Sequence, residues 1–137
     1  MKDKVFLDTN IFVYTQSSVE ERKRSISTDV IRNYDCYTST QVFNEVSNVM
    51  LKKLKMRVDE VKQIIKAIND NCGISVVNYE TVQKALDIKE VYRYSFYDSL
   101  ILASALETGC QKIFSEDLQD GQIIEGTLQI VNVFNDD

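Results

Sequence analysis

The sequence contains no histidine and no proline. Without imidazole, Ser-His-Asp and Cys-His catalysis are excluded, and so are metal centres built on histidine. Cysteine is scarce. Cys36, Cys72 and Cys110 are far apart and odd in number, which excludes zinc fingers. With no export signal they read as buried reduced thiols. Glycine is equally sparse, and Gly73, Gly109, Gly121 and Gly126 form neither a P-loop nor GxGxxG. Conventional nucleotide cradling is therefore not expected. No apolar run approaches the ~18 residues that span a bilayer. The apolar stretch after Met1-Lys2-Asp3-Lys4 is broken at Asp8, too early for a signal-peptide core. The expected location is the cytoplasm, with no membrane partner.

What is present is acid. There are 21 Asp and Glu against 16 Lys and Arg, a net charge of −5. The 137 residues suit one domain, 1–137, able to bury a real core. There is no internal repeat and no low-complexity stretch. If such a chain does catalysis, carboxylates holding a hard cation are the natural candidates.

Periodicity and capping predict alternating short strands and helices. Lys4–Leu7 reads as a strand bounded by Asp8-Thr9-Asn10. A helix is expected over Val19–Asn33, with Ser18 and Glu21 as a capping box and Val19, Ile26 and Val30 on one face. Cys36–Ser39 reads as a strand. Gln41–Lys55 reads as a helix striped by Val42, Val46, Val49, Met50 and Leu54. After a break at Met56-Arg57, Val58, Val61, Ile65 and Ile68 mark another helix, ending near Cys72-Gly73. Ile74–Val77 follows as a strand. Tyr79–Tyr92 is helical with Asn78 as N-cap, and Phe96–Glu107 is helical and closed by Gly109. Lys112–Ser115 and Leu128–Val133 are further strands. The fold class is α/β: a short parallel sheet of four to five strands covered on both faces, three α/β/α layers. Ligands in such sheets bind at the carboxyl ends of the strands.

Four carboxylates fall at that edge. Asp8 ends the first strand, where it also reads as a turn or cap residue. Glu45 lies one turn into the helix after the second strand, beside Val42 and Val49, where a surface role is the ordinary alternative. Asp98 stands three residues after Ser95, the spacing of a capping box. It also shares a face with Ile101, Leu102 and Ala105 on a helix apolar nearly all round. Asp117 follows the strand ending at Ser115 and reads equally as a loop acid. Gathered together, these residues need a cation: two like charges about 4 Å apart repel by roughly 4 kcal/mol at an effective dielectric of about 20. An all-oxygen donor set selects Mg2+ or Mn2+. Such an ion supports hydrolysis of a phosphodiester without a protein nucleophile.

Val5-Phe6-Leu7-Asp8-Thr9-Asn10-Ile11, Gln41-Val42-Phe43-Asn44-Glu45, Ser95-Phe96-Tyr97-Asp98-Ser99-Leu100-Ile101 and Ser115-Glu116-Asp117-Leu118 resemble, in order, the four acidic motifs of PIN-domain nucleases. Tyr94 to Phe134 looks most like the VapC-type toxins of toxin–antitoxin pairs. The resemblance implies a PIN-like fold and a Mg2+- or Mn2+-dependent endoribonuclease. Asp8, Glu45, Asp98 and Asp117 match the acidic quartet that is both catalytic and metal-holding. Ser115 matches a Ser/Thr that steadies the site, and Asn10 a polar residue near the first acid. Glu116 and Asp120 are acids of the same loop but are not expected as ligands. The resemblance also implies an RNA substrate, a homodimer and a cognate antitoxin.

An isoelectric point near 4.8 opposes RNA binding at long range. Basic residues cluster at Arg22-Lys23-Arg24 and at Lys52, Lys53, Lys55 and Arg57. They read either as solvated helix faces or as a rim gripping phosphates. Arg93, with Tyr92, Tyr94 and Tyr97 nearby, offers stacking to an unpaired base, while core packing or a dimer contact competes for those rings. Two alternatives stand beside the nuclease. One is a metal-dependent phosphatase or phosphoacceptor domain, which would want a second Asp where Asn10 stands. The other is a catalytically inactive PIN module that binds RNA or protein.

Overall fold

A computed structural model describes residues 2–135. Met1, Asp136 and Asp137, the ends of the expected 1–137 unit, lie outside the described residues. The elements are β1 (Lys4–Leu7), α1 (Thr9–Tyr14), α2 (Glu21–Asn33), β2 (Asp35–Ser39), α3 (Thr40–Lys52), α4 (Val58–Asn71), β3 (Gly73–Ser75), α5 (Tyr79–Tyr92), α6 (Phe96–Glu107), β4 (Lys112–Phe114), β5 (Ile123–Ile124) and β6 (Leu128–Val131).

The sheet runs β3-β2-β1-β4-β6-β5, with β1 at its centre. Every neighbour pair is parallel except β5–β6. Val5, Phe6 and Leu7 are fully buried, as a strand covered on both faces requires. Helix α1 packs on α2 and α3, α3 packs on α4, and α5 packs on α6, completing the α/β/α layering. No helix among the described residues is long and apolar enough to cross a membrane.

Five of the strands form the parallel sheet, within the expected four to five, and a sixth is added at its edge. The addition is β5, a two-residue strand that turns back onto β6. Glu125 and Gly126 make that turn at φ 51° and 75°, closed by Thr127 N donating to Ile124 O at 3.2 Å. A short helix that was not expected follows the first strand directly. Asp8 is an N-cap and α1 starts at Thr9; six residues are too few for helical periodicity to register in sequence.

The expected Ser18–Glu21 capping box does not form. Ser17 Oγ instead accepts from Glu20 N at 2.9 Å, and α2 begins at Glu21. Val19, expected on the buried face, is therefore outside the helix and 87% exposed. Leu54 and Val58 also leave their expected faces: α3 stops at Lys52, and Val58 is the first residue of α4. The caps at α5 and α6 are as expected. Thr81 N donates to Asn78 Oδ1 at 3.1 Å, and Asp98 N donates to Ser95 Oγ at 3.1 Å. Ser99 to Ala105 are all buried, so α6 is enclosed along most of its length.

Candidate active site

Asp8 sits at the carboxyl end of the central strand, where its N–H donates to Phe114 O of β4 at 3.1 Å. Its side chain is buried. Oδ1 accepts from Thr9 N at 2.7 Å and Oδ2 from Ser115 Oγ at 2.8 Å. Burial pushes the Asp8 carboxyl up to about 6; the bonds from Ser115 and Thr9 oppose this, and the charges of Glu45 and Asp117 reinforce it. Ser115, itself buried, also accepts from Asp117 N at 3.3 Å. One hydroxyl thus fixes two of the acids.

The two residues after Asp8 reach the remaining acids of the edge. Thr9 Oγ1 donates to Glu45 Oε2 at 2.7 Å, and Asn10 Nδ2 donates to Asp117 Oδ2 at 3.0 Å. Gln41, one helical turn before Glu45, donates from Nε2 to Glu45 Oε1 at 2.8 Å and to Tyr97 O at 3.1 Å. The latter bond ties α3 to the start of α6. Asp98, half-buried there, has its carboxyl raised by burial first, against its Ser95 hydrogen bond, with Asp117 and Glu45 adding repulsion. Asp8 and Asp98 therefore feel the same two acids, Glu45 and Asp117.

Among the described residues no Lys or Arg forms an ion pair with any of the four. Among the described residues this edge therefore gathers carboxylates without a paired cation, and the ligand atoms those side chains offer are oxygen. Gln41 Oε1 is also buried beside Glu45 with no hydrogen-bond partner. No three acidic or thiol side chains among the described residues close into a metal cage. Mg2+ does not require one: it keeps several waters and commonly takes one or two carboxylates together with substrate phosphate. In donor type and charge the residues fit such an ion.

Neighbouring acids have other work. Glu116 pairs with Lys23 and accepts from Tyr14 Oη, and these contacts hold its carboxyl below the usual range even though burial pushes it up. Asp120 accepts from Asn132 N at 2.9 Å and Asn135 Nδ2 at 2.7 Å, fastening the chain after β6.

The structure separates the basic candidates. Lys52 and Lys53 are at the far end of α3; at 1.5 Å per residue, Lys52 is about 10 Å further along the axis than Glu45. Arg57 is exposed and bonded to Asp59 at 3.0 and 3.2 Å. Arg93 ends α5 at φ 68°, two residues before Ser95, and so lies near the acidic edge in sequence. Of the tyrosines, Tyr92 Oη accepts from Glu125 N and Tyr94 Oη from Gln119 N, leaving Tyr97 as the exposed ring beside Asp98.

Thr9 and Gln41 were not foreseen as site residues. For Gln41 a sequence signal exists: it precedes Glu45 by four positions, where helical side chains meet. Thr9 has only its adjacency to Asp8.

The PIN-domain family model matches residues 5–119. No match is found among curated proteins. Among solved structures, a toxin–antitoxin complex from Klebsiella pneumoniae superposes with a TM-score of 0.69 at 16% identity, covering 95% of this chain and 98% of that one. The sarcin–ricin-loop-cleaving toxin VapC20 of Mycobacterium tuberculosis gives 0.67 at 16% identity, covering 82% and 89%. DNA-bound VapBC from Salmonella typhimurium gives 0.64 at 18% identity, covering 96% and 98%.

Proposed function

The chain belongs to the PIN-domain family, and from that premise we propose that it is a VapC-type toxin, an endoribonuclease that uses Mg2+ or Mn2+. The observation that carries this reading is the unbalanced charge at the strand ends. Asp8 is buried, and its neighbours in charge are two more acids rather than a cation.

Asp8, Glu45, Asp98 and Asp117 would hold the ion between them, one or two directly and the rest through its waters. When bound it would lower the pKa of a water and offset charge building on the phosphoryl group under attack. The chain's own task is orientation. Ser115 fixes Asp8 and the amide of Asp117; Asn10 fixes the Asp117 carboxylate; Thr9 and Gln41 hold both oxygens of Glu45. No protein nucleophile is required, which suits a chain without histidine.

Two of the solved neighbours are complexes of a toxin with its antitoxin. By analogy, an antitoxin is proposed as a partner here, and a homodimer as the free form.

The test is cleavage of labelled single-stranded RNA with Mn2+, with Mg2+ and with EDTA. The reading expects ion-dependent cleavage that Asp8→Asn reduces by ~100-fold or more. RNA binding without cleavage would favour the inactive module, and phosphate release from a monoester would favour the phosphatase.

A further inference from the structure

Cys36 and Cys72 occupy matching positions at the starts of two adjacent parallel strands. Tyr37 pairs with Gly73 in the β2–β3 register, and the two cysteines are the residues immediately before that pair. Cys36 lies in β2, and Cys72 has extended backbone at φ −128° and ψ 150°. Matching side chains on neighbouring strands project from the same face, with the strands ~4.8 Å apart. That spacing lies within the ~4.4–6.8 Å Cα separation of disulfides. Gly73 keeps the approach close, because a Cβ there would fall 2.4 Å from Tyr37 Cε2.

Both thiols line a cavity of about 910 Å3, floored by Phe12, Ile31, Ile64 and Ile68. The two cysteines differ in access. Cys36 is buried, with its thiol against the carbonyls of Val30, Ile31 and Tyr34, whereas Cys72 is partly exposed. None of the residues proposed for RNA cleavage lines this cavity.

We propose that Cys36 and Cys72 form a redox-active dithiol site that closes to an intramolecular disulfide by exchange with a small-molecule disulfide such as glutathione disulfide. Cys72, the accessible thiol, attacks first. Its deprotonated sulfur bonds to one sulfur of the small disulfide, whose S–S bond breaks and releases one thiol. Deprotonated Cys36 then attacks Cys72 Sγ, breaking the mixed disulfide and releasing the second thiol. The two cysteine protons end on the two released thiols; the protein pair loses two electrons and the small disulfide gains them. Cys36 is enclosed and Cys72 is the thiol that an incoming disulfide can reach. This difference fits Cys72 as attacking thiol and Cys36 as resolving thiol. Cys110, buried beside Thr108, lies outside the cavity and takes no part.

The test uses the full chain treated with excess glutathione disulfide, alkylated under denaturing conditions and mapped by mass spectrometry. Wild type is expected to lose about 2 Da before alkylation, to yield a peptide linking Cys36 to Cys72, and to regain both thiols with dithiothreitol. Cys36→Ser should trap one glutathione on Cys72, and Cys72→Ser should react at least ~10-fold more slowly. If either variant fails to fold, the wild-type linkage decides. Retention of both thiols, a persistent glutathione adduct on wild-type Cys72, a link through Cys110, or a disulfide between two chains overturns the proposal.

Discussion

Thr9 Oγ1 donates to Glu45 Oε2 over 2.7 Å, so the residue beside Asp8 in the chain orients an acid 36 positions away. The junction between β1 and α1 therefore supplies an acid and also a hydroxyl that places another. Removing the hydroxyl tests this. Thr9→Val keeps the shape and is expected to lower the turnover rate on RNA by about 10- to 100-fold, with a melting temperature shifted by only a few degrees. Thr9→Ser should restore most of the rate. A Thr9→Val protein as fast as wild type would show that Glu45 needs no such support.

Acidity should stabilise the ion-free protein. The Asp8 carboxyl moves from 3.8 to about 6, chiefly through burial. The folded state then binds a proton more readily than the unfolded chain. The penalty is complete above about pH 6 and disappears as pH falls toward 4, so stability rises on that descent by up to about 3 kcal/mol from this residue. Asp98 pushes in the same direction. The Lys23–Glu116 pair acts oppositely, but Glu116 is held below its usual range and is lost only at lower pH. Denaturant unfolding in EDTA from pH 8 to 5 measures the slope. It should flatten in Asp8→Asn; a wild-type slope of the other sign would contradict the assignment.

Asp98→Asn is expected to raise the melting temperature without divalent ions. The substitution removes a partly buried charge that meets Asp117 and Glu45. It also removes a favourable charge at the start of α6, a loss of about 0.3–1 kcal/mol that makes the net gain small. Calorimetry in EDTA at pH 7.5 settles the sign, and a clear drop would mean that the lost charge at the start of α6 outweighs the relieved repulsion.

Mn2+ should raise the melting temperature of wild type more than that of Asp8→Asn, because an ion held only by the folded state stabilises it by an amount that grows with the logarithm of its concentration over Kd. Equal shifts would place the ion elsewhere.

Much of this was legible in sequence because caps and periodicity report locally. Asn78 and Ser95 announce their helices, and Gly109 at φ 74° closes the second. Two elements were not legible. Helix α1 is too short to show a period, and β5 is two residues held by pairing with β6. Ser17 and Ser18 are chemically equivalent acceptors, yet neither caps α2: Glu20 is the N-cap, and the chain path brings Ser17 to its N–H. Among site residues, the four acids stand out because each interrupts an apolar segment or follows one. Thr9 does not, since its partner is fixed by tertiary packing, and Gln41 shows only its four-residue spacing to Glu45.

Phe134 joins the segment after β6 to this edge. Its ring meets Tyr14 edge-on at 5.1 Å, its carbonyl accepts from Arg22 Nη2 at 2.8 Å, and Lys23 bridges the two rings to Glu116, the residue before Asp117. Fraying at this tail would therefore travel to the loop carrying Ser115 and Asp117. Amide protons in the two stretches should exchange together, and a bulky fusion placed directly after Phe134 would perturb catalysis without touching a single acid.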